Sequence, residues 1–276
     1  MNLREAYEYG RRQLHSANIS DADLDAWYLL EFVTGVSRAQ YFLSSDQKLT
    51  KAEEETYSEH IERRATHVPL QHITGVQEFM GLEFAVNEHV LVPRQDTEVL
   101  VESVQEVLRS GVTILDMCTG SGCILISLLH GEKGAHGVGV DLSEEALKVA
   151  KKNAEKLQIE ATFVQSDLFE QVEGEYDIIV SNPPYICTEV IESLEEEVRL
   201  HDPRMALDGK EDGLYFYRKI VEESPKYLKQ NGRLYFEIGH DQGSAVKNLM
   251  EQAGFTEVVV KKDLAGLDRV VFGVYI

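Results

Sequence analysis

The chain has 276 residues and carries 27 Lys and Arg against 48 Asp and Glu, a formal charge of −21 at neutral pH. At 43% hydrophobic and 27% charged residues it reads as a globular protein of one or two domains. The acidic excess works against surfaces that displace counterions from phosphates or sit on anionic lipid, so neither direct nucleic-acid binding nor a membrane partner is expected. No stretch of about 18 apolar residues could form a membrane span, and the first 16 residues are too charged for a secretion signal. Cys118, Cys123 and Cys187 form no Cys-x-x-Cys pair, so a reducing, cytoplasmic setting is expected, without a disulfide framework or a structural metal.

Residues 1–74 contain no strand pattern. Apolar residues recur at helical spacing at Leu3, Ala6, Tyr7, Gly10 and Leu14, then at Leu24, Trp27, Leu30 and Val33. Ser20 or Asp21 can cap the second helix, and Thr50 with Glu53 has the spacing of a capping box before a third. Residues 75–92 alternate apolar and polar around Gly81 and Asn87, which predicts a β-hairpin linker. From residue 93 the rhythm changes. Strand-like runs at Thr113 to Met117, Gly137 to Leu142, Thr162 to Gln165, Asp177 to Ser181, Arg233 to Ile238, Val258 to Val260 and Val270 to Val274 are separated by helix-length segments, except for the last two. This predicts an α/β fold, a mainly parallel sheet covered on both faces with an antiparallel edge strand. Charge divides as −4 over residues 1–74 and −17 over residues 75–276.

The strand Thr113 to Met117 runs into Cys118-Thr119-Gly120-Ser121-Gly122 just before an apolar helix. Glycines there let the backbone approach a ligand closely and turn the free N–H groups of the helix toward it. The next strand reaches Asp141, 21 residues after Gly120, the placement of an acid that accepts hydrogen bonds from ribose hydroxyls. The glycines do not follow G-x-G-x-x-G, and no basic residue in the loop could neutralise a pyrophosphate. A nucleoside without phosphate fits better, and S-adenosyl-L-methionine is the foremost candidate. Beside Asp167, Leu168 offers adenine an apolar surface.

The strand Asp177 to Ser181 leads into Asn182-Pro183-Pro184-Tyr185. Ligands of an open parallel sheet bind at the carboxyl ends of its strands, which puts this segment and the glycine loop at one edge. The prolines restrict Asn182 and Pro183 to extended backbone. The Asn182 side-chain oxygen and the Pro183 carbonyl can then accept both hydrogens of a planar NH2 group, with the Tyr185 ring as a packing face. A conjugated NH2 is a poor nucleophile, so catalysis on it would come from positioning.

Together CTGSG, GVDLS and NPPY resemble class I methyltransferases that act on amide or exocyclic amino nitrogens. Further stretches, Pro69 to Gly75, Glu78 to Glu98, His201 to Leu214, Glu237 to Gly243 and Asp263 to Val271, resemble the protein-glutamine methyltransferase family PrmC/HemK over nearly the whole chain. The resemblance implies a Rossmann-like fold with a seven-stranded sheet plus a small N-terminal helical domain. It implies methylation of the glutamine side-chain amide in the Gly-Gly-Gln motif of bacterial peptide chain release factors. Carried over, cofactor contacts fall on Cys118, Thr119, Gly120, Ser121, Gly122, Asp141, Leu168 and Asn182. Substrate contacts fall on Asn182, Pro183, Pro184 and Tyr185, with Asn182 and Pro183 catalytic. The implied organisation is a recognition domain over 1–74, the linker over 75–92 and a methyltransferase domain over 93–276, acting as a monomer.

This sequence departs from the family where Cys118 stands for a frequent glycine, which requires a φ that an L-residue tolerates, and where Leu168 stands for an aromatic found in some members. Alternatives are a glutamine methyltransferase acting on a ribosomal protein, an adenine methyltransferase acting on nucleic acid, and a cofactor-binding module without catalysis. Arg94, Asp96, Thr97 and Glu98 either close over the methionine end of the cofactor or cap the following helix. Glu192 to Glu197 reads as a solvated helix face, His201 as structural or exposed, and Cys123 and Cys187 as packing residues.

Overall fold

The computed structural model describes residues 1–276, which divide into two compact units: residues 1–76 with 195–201, and residues 77–194 with 202–276.

The first unit is built on five helices: α1 (Leu3–Ser16), α2 (Ala22–Thr34), α3 (Arg38–Ser44), α4 (Lys51–Ala65) and α5 (Leu70–Thr74). α1 starts at an Asn2–Glu5 capping box and buries Leu3, Ala6, Gly10 and Leu14 on one stripe. Gly10 is required because a Cβ there would collide with the Tyr57 hydroxyl on α4; that hydroxyl donates to the Ala26 carbonyl at 3.1 Å. The capping box of Thr50 and Glu53 forms, whereas Asp21 occupies the N-cap of α2 without a side-chain bond.

The buried face of α2 differs from the expected stripe. It runs through Ala22, Asp25, Ala26, Leu29 and Leu30 beside Trp27, and Leu24 is exposed. The helix turns this way because buried Asp25 pairs with buried Arg64 at 2.7 Å. α3 starts at a Ser37–Gln40 capping box that the sequence analysis did not use, but it buries none of its residues and leaves Phe42 and Leu43 exposed.

The first unit also includes Glu195–His201, within which Glu196–His201 forms the six-residue helix α10. Glu197 accepts from Arg64 Nη2 at 2.7 Å, Glu196 lies 3.0 Å from His67, and His201 Nε2 lies 3.0 Å from the Thr66 carbonyl. Of the four glutamates read as a solvated face, Glu197 pairs with buried Arg64, while Glu192 and Glu196 pair at the surface with Arg204 and Arg199 at 3.1 and 3.8 Å. Arg64 needs the second carboxylate because its guanidinium is buried and has donors beyond those that Asp25 uses.

The second unit opens with the hairpin β1 (Val76–Phe79) and β2 (Leu82–Ala85), whose first residue still belongs to the other unit. Helix α6 (Glu98–Gln105) precedes β3 (Thr113–Met117), α7 (Cys123–Gly131), β4 (His136–Asp141), α8 (Glu144–Leu157), β5 (Thr162–Gln165) and β6 (Tyr176–Ser181). Then come α9 (Thr188–Ile191), α11 (Arg204–Leu207), α12 (Tyr215–Glu223), β7 (Leu228–Glu237), α13 (Gly243–Gln252), β8 (Phe255–Lys262) and β9 (Asp268–Tyr275). Seven strands form one sheet in the order β5-β4-β3-β6-β7-β9-β8. β3 through β7 pair in parallel, and β9 is antiparallel to both β7 and β8. The antiparallel strand thus lies one place in from the edge. The tight connection through Gly266 pairs β8 with β9, and β9 takes the free side of β7.

Residues alternate between two cores, as a sheet buried on both faces requires. Ile114, Ile178, Val180 and Tyr235 pack with α6 and α7, while Leu115, Met117, Ile179, Leu234 and Phe236 pack with α12 and α13. Burying each such side chain contributes roughly 1.5–3 kcal/mol, so the strand ends that carry the site rest on a rigid base.

Candidate active site

The carboxyl ends of β5, β4, β3 and β6 adjoin one cleft of about 260 Å³, near the lower end of the usual range for small-molecule sites. Its walls include Cys118, Thr119, Gly120, Ser121, Asp141, Leu168, Asn182 and Pro184. Gly122, Pro183 and Tyr185 are not among the residues that line it.

After β3 the chain reverses through Cys118, Gly120 and Gly122, all at positive φ (63°, 54° and 79°). The turn is closed by bonds from Thr119 N–H to the Val140 carbonyl at 2.9 Å and from Gly122 N–H to the Thr119 carbonyl at 2.8 Å. At Gly122 a Cβ would come within 2.9 Å of Ile126 and 3.2 Å of Ala150, so glycine here serves both the turn and the packing of α7 on α8. Cys118 does not adopt a φ that suits an L-residue. It occupies the left-handed region that the frequent glycine would enter freely, at a cost of about 1–2 kcal/mol. Leu168 shares this conformation at φ 48°. It is held there by Ser166, whose hydroxyl donates to the Leu168 carbonyl and accepts from Gln171 N–H, each at 2.9 Å.

Asp141 ends β4. Its two carboxylate oxygens each accept one backbone N–H, from Gly120 and from Ser143, both at 2.9 Å. Each keeps lone-pair capacity for a hydroxyl. Burial raises this carboxyl above its ordinary pKa, opposed by those N–H groups. Behind the loop, fully buried Asp116 accepts from the Thr119 hydroxyl at 2.5 Å, and burial lifts its pKa to about 7.

β6 lies beside β3, so Asn182 emerges next to the loop. Ser181 ties the two strand ends together by donating to the Met117 carbonyl at 2.6 Å. The segment after Tyr185 is braced by residues 207–213: Ile186 N–H donates to the Leu207 carbonyl, Gly209 N–H to the Ile186 carbonyl, and Gln242 Nε2 to the Tyr185 carbonyl, at 3.0, 2.8 and 3.0 Å. Gly209 and Gly213 allow that approach, since a Cβ at either would run into the Tyr185 backbone. The Tyr185 phenol is held in its neutral form by burial and by Glu237.

Asn153, Glu237 and Arg269 received no role of their own in the sequence analysis, and the structure decides between the two readings of Thr97 and Arg94. Asn153 on α8 donates to the carbonyls of Ser121 and Ala85, both at 3.0 Å, and accepts from Ala85 N–H at 2.7 Å. It is the one polar residue on the buried face of α8, which is the pattern that could have revealed it. Thr97 is buried and accepts from Asn182 Nδ2 at 3.5 Å, so it faces the site rather than merely capping α6. Glu237 is buried at the end of β7. Arg269 binds Asp96 and Asp263 at 3.1 and 3.0 Å, pinning the segment before α6 to β9. Arg94 pairs with Asp202 at 2.8 Å.

Comparison with known proteins matches residues 5–75 to the PrmC N-terminal domain and residues 94–197 to the methyltransferase small domain. The chain is 41% identical over 275 residues to a release factor glutamine methyltransferase of Moorella thermoacetica, covering 98% of this chain and 97% of that protein. It is 40% identical over 279 residues to a release factor glutamine methyltransferase of Caulobacter vibrioides, covering 99% and 96%. Among solved structures, a methyltransferase from Pyrococcus furiosus shares the fold at TM-score 0.54 and 18% identity, over 71% of this chain and 90% of that one.

Proposed function

This chain belongs to the release factor glutamine methyltransferase family, and from that premise we propose how its own residues carry out the reaction. It methylates the side-chain amide nitrogen of the glutamine in the Gly-Gly-Gln motif of bacterial peptide chain release factors. The methyl donor we assign is S-adenosyl-L-methionine, and the donor set of the cleft fits it. Asp141 retains acceptor capacity toward two ribose hydroxyls, the loop Cys118 to Gly122 brings peptide groups to the cleft wall without any cation, and Leu168 supplies an apolar wall for adenine. When bound, that molecule supplies an electrophilic methyl group on a sulfonium centre.

The protein's part is alignment. The glutamine amide nitrogen is a weak nucleophile because its lone pair is delocalised. Asn182 Oδ1 and the Pro183 carbonyl accept its two hydrogens and fix the nitrogen's approach, so the barrier falls by positioning and by preorganised dipoles. The observation that carries this reading is the register of β3 and β6, which brings Asn182 beside the glycine loop at one cleft. Asn182→Ala should lower turnover about 100-fold while S-adenosyl-L-homocysteine binds nearly as before. The test supplies labelled methyl donor with a release factor, a ribosomal protein or duplex DNA, and locates the label by mass spectrometry. Label outside the Gly-Gly-Gln glutamine, or wild-type turnover by the variant, would refute the reading.

Selecting one glutamine among many requires contacts away from the reacting amide, and we assign these to the first unit. In support, its α3 leaves Phe42 and Leu43 80% and 86% exposed, more than isolated packing demands. Replacing both with Ser should raise KM for an intact release factor about 10-fold and leave turnover of a short Gly-Gly-Gln peptide unchanged; equal effects on both substrates would remove the assignment. No helix is long and apolar enough to cross a membrane. A monomer working in the cytoplasm completes the proposal.

A further inference from the structure

Glu237 is buried to 2% exposure at the carboxyl end of β7, and its Oε2 has no hydrogen-bond partner. β7 runs parallel to β6 with Ser181 opposite Phe236, so one residue further along Asn182 and Glu237 are neighbours at the strand ends. Thr97 and Asn182 both favour the ionised form of the Glu237 carboxylate, and Asn182 Nδ2 reaches Thr97 Oγ1 at 3.5 Å. An ionised carboxylate only accepts, and a hydroxyl that donates to it keeps its lone pairs for another donor. Both groups therefore call for the NH2 end of the Asn182 amide. We propose that Glu237, with Thr97, is a positioning residue that holds the Asn182 amide with its NH2 inward, so that Oδ1 is the atom presented to the substrate NH2. This rests on the functional reading above.

The arrangement matters because an Asn side chain turned by 180° would present a donor to a donor. Extended backbone at Asn182 restricts the main chain but leaves the amide torsion free, so another group must set it. Glu237 can do so only as an anion. Protonated, it can donate to the Asn182 oxygen and favour the reversed amide. Burial raises its pKa to about 7, opposed by Thr97 and Asn182. Arg269 on β9 favours the anion but is ion-paired with Asp96 and Asp263, while Asp96 before α6 disfavours it. The remaining titratable groups near it, Tyr185, Tyr217 on α12 and Cys123 on α7, are held neutral by burial.

The test uses the full chain, a release factor and labelled methyl donor. Glu237→Gln keeps the shape but puts an NH2 where an acceptor stood. Its kcat should fall about 10-fold or more, with KM for the release factor and the affinity and stoichiometry of S-adenosyl-L-homocysteine within about 2-fold. The rise of wild-type kcat through about pH 7 should vanish in the variant. In an Asn182→Ala background Glu237→Gln should cost almost nothing more, as expected of a residue that acts only through Asn182. Should Glu237→Gln fail to fold, Thr97→Val supplies the same cycle, and Thr97→Ser should restore turnover. An unchanged kcat, or a full additional loss in the Asn182→Ala background, would overturn the proposal while leaving the functional reading intact. A wild-type chain that does not methylate the release factor would refute that reading itself.

Discussion

Gly209→Ala tests whether close packing against the Asn-Pro-Pro-Tyr segment sets the geometry of catalysis. A Cβ at residue 209 would lie 2.7 Å from both Cα and C of Tyr185 and 2.9 Å from Gly213 Cα, where ordinary contact begins at 3.4 Å. All three are backbone atoms, so no rotamer change relieves the clash, and the two segments must separate by roughly 0.7 Å. They are laced together by the bonds of Gly209 to Ile186 and of Ile186 to Leu207, so the shift passes along rigid prolines toward Asn182. Misplacement near 1 Å at a reacting centre costs about 100-fold, so kcat should fall about 10- to 100-fold. Overpacking should remove about 1–3 kcal/mol of stability. S-adenosyl-L-homocysteine affinity should stay within about 2-fold, because the Cys118 to Gly122 loop and Asp141 hang on β3 and β4. The assay is methyl transfer to a release factor beside calorimetric titration of the product analogue. Turnover within about 2-fold of wild type, or loss of affinity matching the loss of turnover, would refute the reasoning.

Two further outcomes are expected. Asn153→Ala deletes three hydrogen bonds and leaves the Ser121 and Ala85 groups short of partners, which should cost about 2–4 kcal/mol and weaken product-analogue binding about 10-fold; an unchanged melting temperature would contradict this. Asp116 has a carboxyl raised in the fold from 3.8 to about 7, so the native state holds that proton more tightly than the unfolded chain. The stability it contributes is fully present below the unfolded value and is lost as pH rises through about 7, at up to about 1.4 kcal/mol per pH unit. Asp116→Asn removes this slope, so denaturant midpoints from about pH 4 to 7 should fall less steeply for the variant; parallel slopes would count against it.

The elements legible along the chain are those that rest on local chemistry. The strands Thr113–Met117 and Thr162–Gln165 stand in the structure at their expected bounds, because a strand buried between helices must be a short apolar run ended by turn residues. The capping box at Thr50, the turn through Gly120 and Gly122, and the rigidity of Pro183 and Pro184 are likewise properties of a few adjacent residues. Tertiary structure alone decided which distant groups meet. The insertion of β9 beside β7 depends on hydrogen-bonding edges left free by the rest of the sheet, which no window of sequence contains. Asn153 and Ser121 are 32 positions apart, Asn182 and Thr97 are 85 apart, and Arg64 and Glu197 are 133 apart. In each case a buried polar group had to find a partner once the chain had closed around it. That requirement draws Glu196–His201 into the first unit and sets Thr97 and Glu237 behind Asn182. It acts through space, so no periodicity along the chain records it.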